Sequence, residues 1–317
     1  MQKTIEKNGW CQNGRTESES YGGAQTYMWI VDGNLVEVQL GKDDLLERIL
    51  SPDNLLSAYK QVVRNHGAGG VDKMGTSELL PYLNLHQAEL IEKIRSGRYS
   101  PTAVRRVEIP KDNGKKRQLG IPTVVDRFIQ QAISQVLSEI YEPLFSDSSF
   151  GFRPNRSAHD ALKRVQQYAE DGYRYCVDLD LERFFDTVNH SKLIQVLSER
   201  IKDGRVVSLI HKYLNAGVMV RHKYEETTEG VPQGGPLSPI LSNIILNELD
   251  RELERRGHPS VRYADDCIVL VKSLRATERV RDSIATFVEK KLFLKVNKEK
   301  TVLGTLSGKK FLGHSFY

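Results

Sequence analysis

"VRYADDCIVLV", residues 261–271, sets two adjacent acids, Asp265 and Asp266, inside an otherwise apolar, β-prone run. Burying an ionised carboxylate costs on the order of several kcal/mol unless something cancels its charge. The run reads as a hairpin of core strands with the acids at its turn. A second run, "CVDLDLERFFD" (176–186), carries Asp178, Asp180 and Asp186 in a similar apolar setting. In a strand, Asp178 and Asp180 share one face because side chains alternate with period two. If the two runs are neighbours in one sheet, Asp180 comes alongside the acids of the turn.

Converging carboxylates repel unless a cation intervenes. Mg²⁺ suits such a place, since it takes few carboxylates and completes its shell with water and phosphate oxygens. Two such ions activate a hydroxyl and clamp a transferring phosphoryl group. The missing counter-charge is therefore read as Mg²⁺ with a nucleoside triphosphate. A plainer reading exists for each acid alone: Asp-Asp is common in water-facing turns, Asp178 would face solvent, and Asp186 would cap a helix.

The 317 residues are 39% hydrophobic and 27% charged, the balance of a globular protein with a sizeable core. No apolar run approaches the ~20 residues that span a bilayer, and the N-terminus has no apolar signal-peptide region. Three distant cysteines fit a reducing compartment and exclude a CxxC metal site, so a cytoplasmic location is expected. The net charge of +5 is unevenly spread: Lys93 to Arg117 holds nine bases against Glu108 and Asp112. That stripe, with Arg105, Arg106, Lys115 and Lys116 at its centre, suits a polyanion and predicts salt-sensitive nucleic-acid binding.

Along the chain, residues 1–42 read as a separate extension with a hairpin around Asp32-Gly33. Helical patterning starts at Asp43, with Ser51 as N-cap and Pro52 at the first helical position, and the helix after Thr76 is expected to be interrupted at Pro81. "AVRRVEIPKDNGKKRQLGIPT" (103–123) reads as a basic hairpin, and "VVDRFIQQAISQVLSEIYEPLF" as a long amphipathic helix. A strand is expected near "LKVN" (294–297). "GVPQGGPLSP" (230–239) is a loop feeding another long helix. Many helices with few dispersed strands indicate an α+β fold.

Tyr263-Ala264-Asp265-Asp266 resembles the YxDD signature of reverse transcriptases, and "DLERFFD" resembles the segment carrying their first catalytic aspartate, here Asp180. "GVPQGGPLSPILSNIILNELD" is similar to their Pro-Gln-Gly loop and following helix. With "RRVEIPKDNGKKRQLGIPTVVDRFIQQAI", "FGFRPNRSAHDAL", "LKVNKEKT" and "KKFLGHSFY", these blocks resemble, in order, group II intron reverse transcriptase/maturases, the bacterial class C type most. The resemblance runs from about residue 43 to 317. It implies a right-hand polymerase with a small antiparallel palm sheet backed by helices. Residues 43–172 would be fingers with an N-terminal helical extension, and 173–317 palm with interleaved helices. The family's helical thumb follows the "FLGHSFY" block, where this sequence stops, so a fingers and palm portion lacking the thumb is expected.

The resemblance also implies roles. Asp180, Asp265, Asp266 and the carbonyl of Leu181 would hold two Mg²⁺ ions. Lys111 and Arg117 would grip the triphosphate, Gln233 and Gly234 would lie beside the incoming nucleotide, and Phe185 would bar a 2′-hydroxyl; strand alternation allows only one of Phe184 and Phe185 to do so. Lys300, with Lys298 as a rival, would protonate the leaving pyrophosphate. Arg153 and Arg156 would touch the template, unless salt-bridged within the protein, and Leu312 and Gly313 would form the primer grip. Implied partners are group II intron RNA, an RNA template with a DNA primer, dNTPs, and a second copy of the chain, but no membrane. Two other readings stand beside this one. One is an RNA-binding splicing cofactor with an idle polymerase site; the other is a reverse transcriptase of retron or diversity-generating type.

Overall fold

The computed structural model describes residues 26–31, 34–39, 44–110, 116–221 and 223–316. The chain divides into two units, Met1–Lys42 and Asp43–Tyr317. In the first, β1 (Thr26–Val31) and β2 (Asn34–Gln39) pair antiparallel with Val31 opposite Asn34. The expected Asp32-Gly33 turn lies outside the described residues.

The second unit begins with α1 (Leu45–Ile49), α2 (Pro52–Arg64) and α3 (Leu79–Arg95). Ser51 enters α2 in extended conformation and Pro52 takes the first helical position, where its missing N–H has no partner to lose. Pro81 does not interrupt its helix as expected. It sits in the first turn of α3, just after the short 3₁₀ turn Thr76–Glu78, where proline is tolerated for the same reason. Next come β3 (Val104–Pro110) and β4 (Lys116–Ile121), an antiparallel hairpin whose turn lies outside the described residues.

Helix α4 (Val124–Tyr141) is capped by the Thr123 hydroxyl, which accepts from the Asp126 N–H. It is buried on nearly every side, Asp126, Arg127 and Gln130 included, so it threads the core rather than lying on it. Ser157 and Asp160 form a reciprocal capping box that starts α5 (Ala158–Glu170). There follow β5 (Tyr175–Leu179), α6 (Phe184–Thr187), α7 (His190–Arg200), α8 (Gly204–Leu214), β6 (Val218–Val220) and β7 (Lys223–Glu225). The chain continues through α9 (Ser238–Arg255), β8 (Ser260–Tyr263), β9 (Asp266–Val271), α10 (Leu274–Lys291), β10 (Val302–Thr305), β11 (Lys310–Phe311) and β12 (His314–Ser315).

Two four-stranded sheets organise this unit. The first, in the order β10-β5-β9-β8, is antiparallel throughout. Its Val177, Leu179, Cys267, Val269 and Val271 face the main helical core, while Cys176, Val261, Ile268 and Leu270 face a smaller cluster with Phe150, Val165 and Phe311. Both faces are covered, which is why these strands read as continuous apolar runs. The second sheet, β4-β3-β6-β7, joins the basic hairpin to strands about a hundred residues later, with β3 and β6 parallel. The β6–β7 pair was not anticipated. The expected strand near 294–297 reduces to one bridge, Val296 to Leu181. Among the described residues no helix is long and apolar enough to cross a membrane.

Candidate active site

The register of β5 on β9 decides the meeting of the acids. Asp178 pairs with Ile268 and Leu179 with Cys267, the last pair of that ladder, so Asp180 follows directly at the end of the sheet where Asp266 opens β9. On the other side, Tyr263 pairs with Asp266, leaving Ala264 and Asp265 as a two-residue turn. Ala264 has φ of +58°. A positive φ at the first turn position alone is the sign pattern of a type II′ hairpin, whose twist matches the flanking strands.

Arg262, one residue before the signature, holds this turn and was missed from sequence. Its side chain is fully buried, and all its N–H groups are engaged. Nε and Nη2 donate to the Asp250 carboxylate at 2.8 and 2.6 Å, and Nη1 donates to Asn243 Oδ1 and to the Ala264 carbonyl at 3.0 and 2.9 Å. Nη2 also donates to the Ser149 hydroxyl at 2.7 Å. Asn243 and Asp250 lie two turns apart on α9, hence on one stripe of that helix. A Cβ on Gly151 would strike the Ala264 backbone, so the "SFGF" loop also packs directly on the turn.

Around the acids the charge is partly balanced by lysines. Lys300 Nζ lies 3.6 Å from Asp180 Oδ2, and Lys309 Nζ lies 2.9 Å from Asp178 Oδ2. Lys300 is placed through its N–H, which donates to Asn297 Oδ1, while the Asn297 N–H donates to the Asp180 carbonyl. Burial, reinforced by the carboxylates of Asp265, Asp178 and Asp180, pushes the Asp266 carboxyl up to about 6. These are hard oxygen donors under mutual repulsion, a set that fits Mg²⁺. No three His, Cys, Asp or Glu side chains among the described residues converge closely enough to hold a metal unaided. An ion that keeps several waters and substrate oxygens needs no such cage.

Beyond the acids lies the Pro-Gln-Gly loop. Gln233 Oε1 accepts from Arg117 Nε at 2.7 Å, and its carbonyl accepts from the Gly120 N–H at 2.7 Å, tying the loop to β4. Gly234 has φ of +119°, and a Cβ there would lie 2.6 Å from the Gly120 carbonyl oxygen. Phe185 lines two cavities beside this loop. One, of about 150 Å³, also exposes Arg106, Arg183 and Asp186; the other, of about 570 Å³, exposes Arg117, Arg127, Phe152, Gln233 and Gly234. Strand alternation does not choose between Phe184 and Phe185, because the strand ends at Leu179 and both rings belong to α6. Both are buried and meet edge-on at 5.1 Å, and Phe185 is the one at the cavity walls. Arg127 is a second residue missed from sequence; a basic residue on the apolar face of α4 was the available signal.

The remaining expected residues fall into distinct settings. Leu181 is buried and bridged to Val296. Lys111 and Lys115 lie outside the described residues. Arg105 donates to the Gly69 carbonyl, and Lys116 pairs with Glu108 at 2.7 Å. Arg153 is buried, its guanidinium donating to the Glu142 carboxylate and to the carbonyls of Glu142, Ser146 and Ser149. No donor is left for a template phosphate, so the salt-bridged alternative describes it. Arg156 pairs with Asp147 and lies over the Phe150 ring. Leu312 and Gly313 form the β11–β12 turn, with φ of +50° and +81°.

The model of the reverse transcriptase (RNA-dependent DNA polymerase) family matches residues 109–316. Protein YkfC of Escherichia coli is 35% identical over 311 residues, which cover 85% of this chain and 82% of YkfC. Group II intron-encoded protein LtrA of Lactococcus lactis subsp. cremoris is 32% identical over 339 residues, 85% of this chain but 56% of LtrA, so this chain spans little more than half of that relative. A telomerase structure from Candida tropicalis, with a TM-score of 0.53 at 19% identity over 72% of this chain and 46% of that one, shares the fold. From its ordered motifs, its sheet and these relatives, the chain belongs to the reverse transcriptase family.

Proposed function

We propose that this chain carries out RNA-templated DNA synthesis and that it binds group II intron RNA as a maturase. The observation that supports the first part is the gathering of Asp178, Asp180 and Asp265 around Asp266 at the end of the β5–β9 ladder, with Asp265 in the turn between β8 and β9. The second part draws on LtrA, an intron-encoded protein by name. Divalent metal ions are general to the family. Here Asp180, Asp265, Asp266 and the Leu181 carbonyl would hold two Mg²⁺ ions, which when bound supply activation of the primer 3′-hydroxyl and stabilisation of the leaving oxygen.

The protein's own groups do the rest. Arg117, pre-aimed by Gln233, offers a planar fork to triphosphate oxygens, with Lys111 as a second positive charge. Phe185 forms a wall under the sugar and excludes a 2′-hydroxyl, selecting dNTPs. Lys300, with its Nζ 3.6 Å from Asp180 Oδ2, would donate a proton to the leaving pyrophosphate. Gly234 lets the backbone approach the nascent pair, and the Leu312–Gly313 turn supports the primer end. Arg106, Lys115 and Lys116 supply positive charge toward the template. In this reading residues 43–172 and the β6–β7 pair form fingers, and the β10-β5-β9-β8 sheet with its helices forms the palm.

Primer extension on an RNA template with dNTPs and Mg²⁺, run beside filter binding to intron RNA, tests the proposal. Extension is expected to fall at least a hundredfold in Asp265→Ala while RNA binding is retained. Tight RNA binding without extension by the native chain would favour the splicing-cofactor reading.

A further inference from the structure

Phe152 has a setting that folding alone does not explain. Its ring is 51% exposed, and its φ is +60°, a backbone region that bulky side chains avoid. Both neighbours are buried and anchored. The Gly151 carbonyl accepts from Asn243 Nδ2 at 2.9 Å, and the Gly151 backbone packs against Ala264 too closely to admit a Cβ. On the other side Arg153 is locked by Glu142, Ser146 and Ser149. An aromatic ring is thus held out at a fixed place, joined through Gly151 to the carboxylate turn.

The space it faces is the 570 Å³ cavity shared with Arg117, Phe185 and Gln233. Gly234, Pro236 and Pro239 form an uncharged part of its wall, while Arg117 and Arg127 make another part basic. An exposed ring in such a cavity suits a ligand that joins a flat, apolar face to an anionic portion. Exposed residues held in sparsely populated backbone regions recur where ligands are clamped. Nucleobases are the flat faces that a polymerase cavity admits, and aromatic rings bind them by stacking whatever their identity.

We propose that Phe152 is a stacking platform for a nucleobase of the bound primer–template, positioning the nascent pair relative to the carboxylate turn. The inference rests on the polymerase reading above. Template and incoming nucleotide both supply bases, and titrating them separately tells which one meets the ring.

The variants are Phe152→Gly, Phe152→Leu and Phe152→Trp. Glycine accepts the left-handed backbone, so Phe152→Gly is expected to melt no lower than the native chain. Base–aromatic stacks contribute enough for a loss of about tenfold. Phe152→Gly should therefore raise KM for primer–template about tenfold, with kcat nearly unchanged, and Phe152→Trp should restore it where Phe152→Leu does not. A rise confined to KM for dNTP would assign the ring to the incoming base. Native KM values for both substrates in Phe152→Gly, or full rescue by leucine, would overturn the proposal. Fluorescence anisotropy of a labelled RNA template–primer, without dNTPs, is measured on the same proteins. Should the native chain bind but not extend, the polymerase reading fails, and a binding loss in Phe152→Gly, rescued by Trp but not by Leu, still decides the role of Phe152.

Discussion

A guanidinium buried among an acid, an amide, a hydroxyl and a carbonyl puts Arg262 at the centre of the turn's stability. Replacing it by methionine would leave Asp250 buried without its counter-charge and release the Ala264 carbonyl. Breaking a buried pair in this way costs about 3–5 kcal/mol, so urea denaturation of Arg262→Met should show a loss of that size. Asp250→Leu in the same background should recover part of it. Nothing local in the sequence disclosed this role: the partners lie 12, 19 and 113 residues away, on α9 and in a loop. The acids were legible because charges inside an apolar run are anomalous wherever they stand. Asp266 gives a second prediction. Its carboxyl is raised from 3.8 to about 6, chiefly by burial and then by its acidic neighbours. The folded metal-free chain therefore holds a proton that the unfolded chain has released across that window, and stability falls as pH rises through it. In EDTA, Asp266→Asn should raise the melting temperature at about pH 7.5 and leave it nearly unchanged near pH 4; an unchanged or lower value at the higher pH would contradict this.

Elements with a strong period or defined caps were readable, and those stabilised mainly by tertiary pairing were not. The hairpin β3–β4 and helices α4 and α9 follow from alternation and from 3.6-residue spacing, and the entry to α2 from Ser51 and Pro52. The β6–β7 pair has three-residue strands, too short to show a period, and β6 is drawn into the sheet by β3. Leu294 and Val296 alternate with an exposed lysine as a strand would, yet the pairing stops at the single bridge between Val296 and Leu181. The Pro-Gln-Gly loop shows what a motif reports physically: Gly234 sits against the Gly120 carbonyl because only a residue without Cβ fits there. Gly234→Ala is expected to push the loop off β4 and disturb the Gln233–Arg117 bond. KM for dNTP should rise about tenfold or more, with a smaller change in primer–template affinity, measured by steady-state extension.

At the scale of the whole molecule, a sheet covered on both sides leaves one end of its strands for chemistry. The acids collect there because the β5–β9 register and the β8–β9 turn end together. The fold class followed from the sequence, while the clamp behind the turn and the exposed Phe152 required the packed structure. Electron paramagnetic resonance of Mn²⁺ bound to the chain with an RNA template, a chain-terminated DNA primer and the matching dNTP tests the metal site most directly. Two ions per complex are predicted for the native chain, with at least one lost in Asp180→Ala and in Asp265→Ala. Both variants retaining two ions at native affinity would contradict the assignment of these carboxylates.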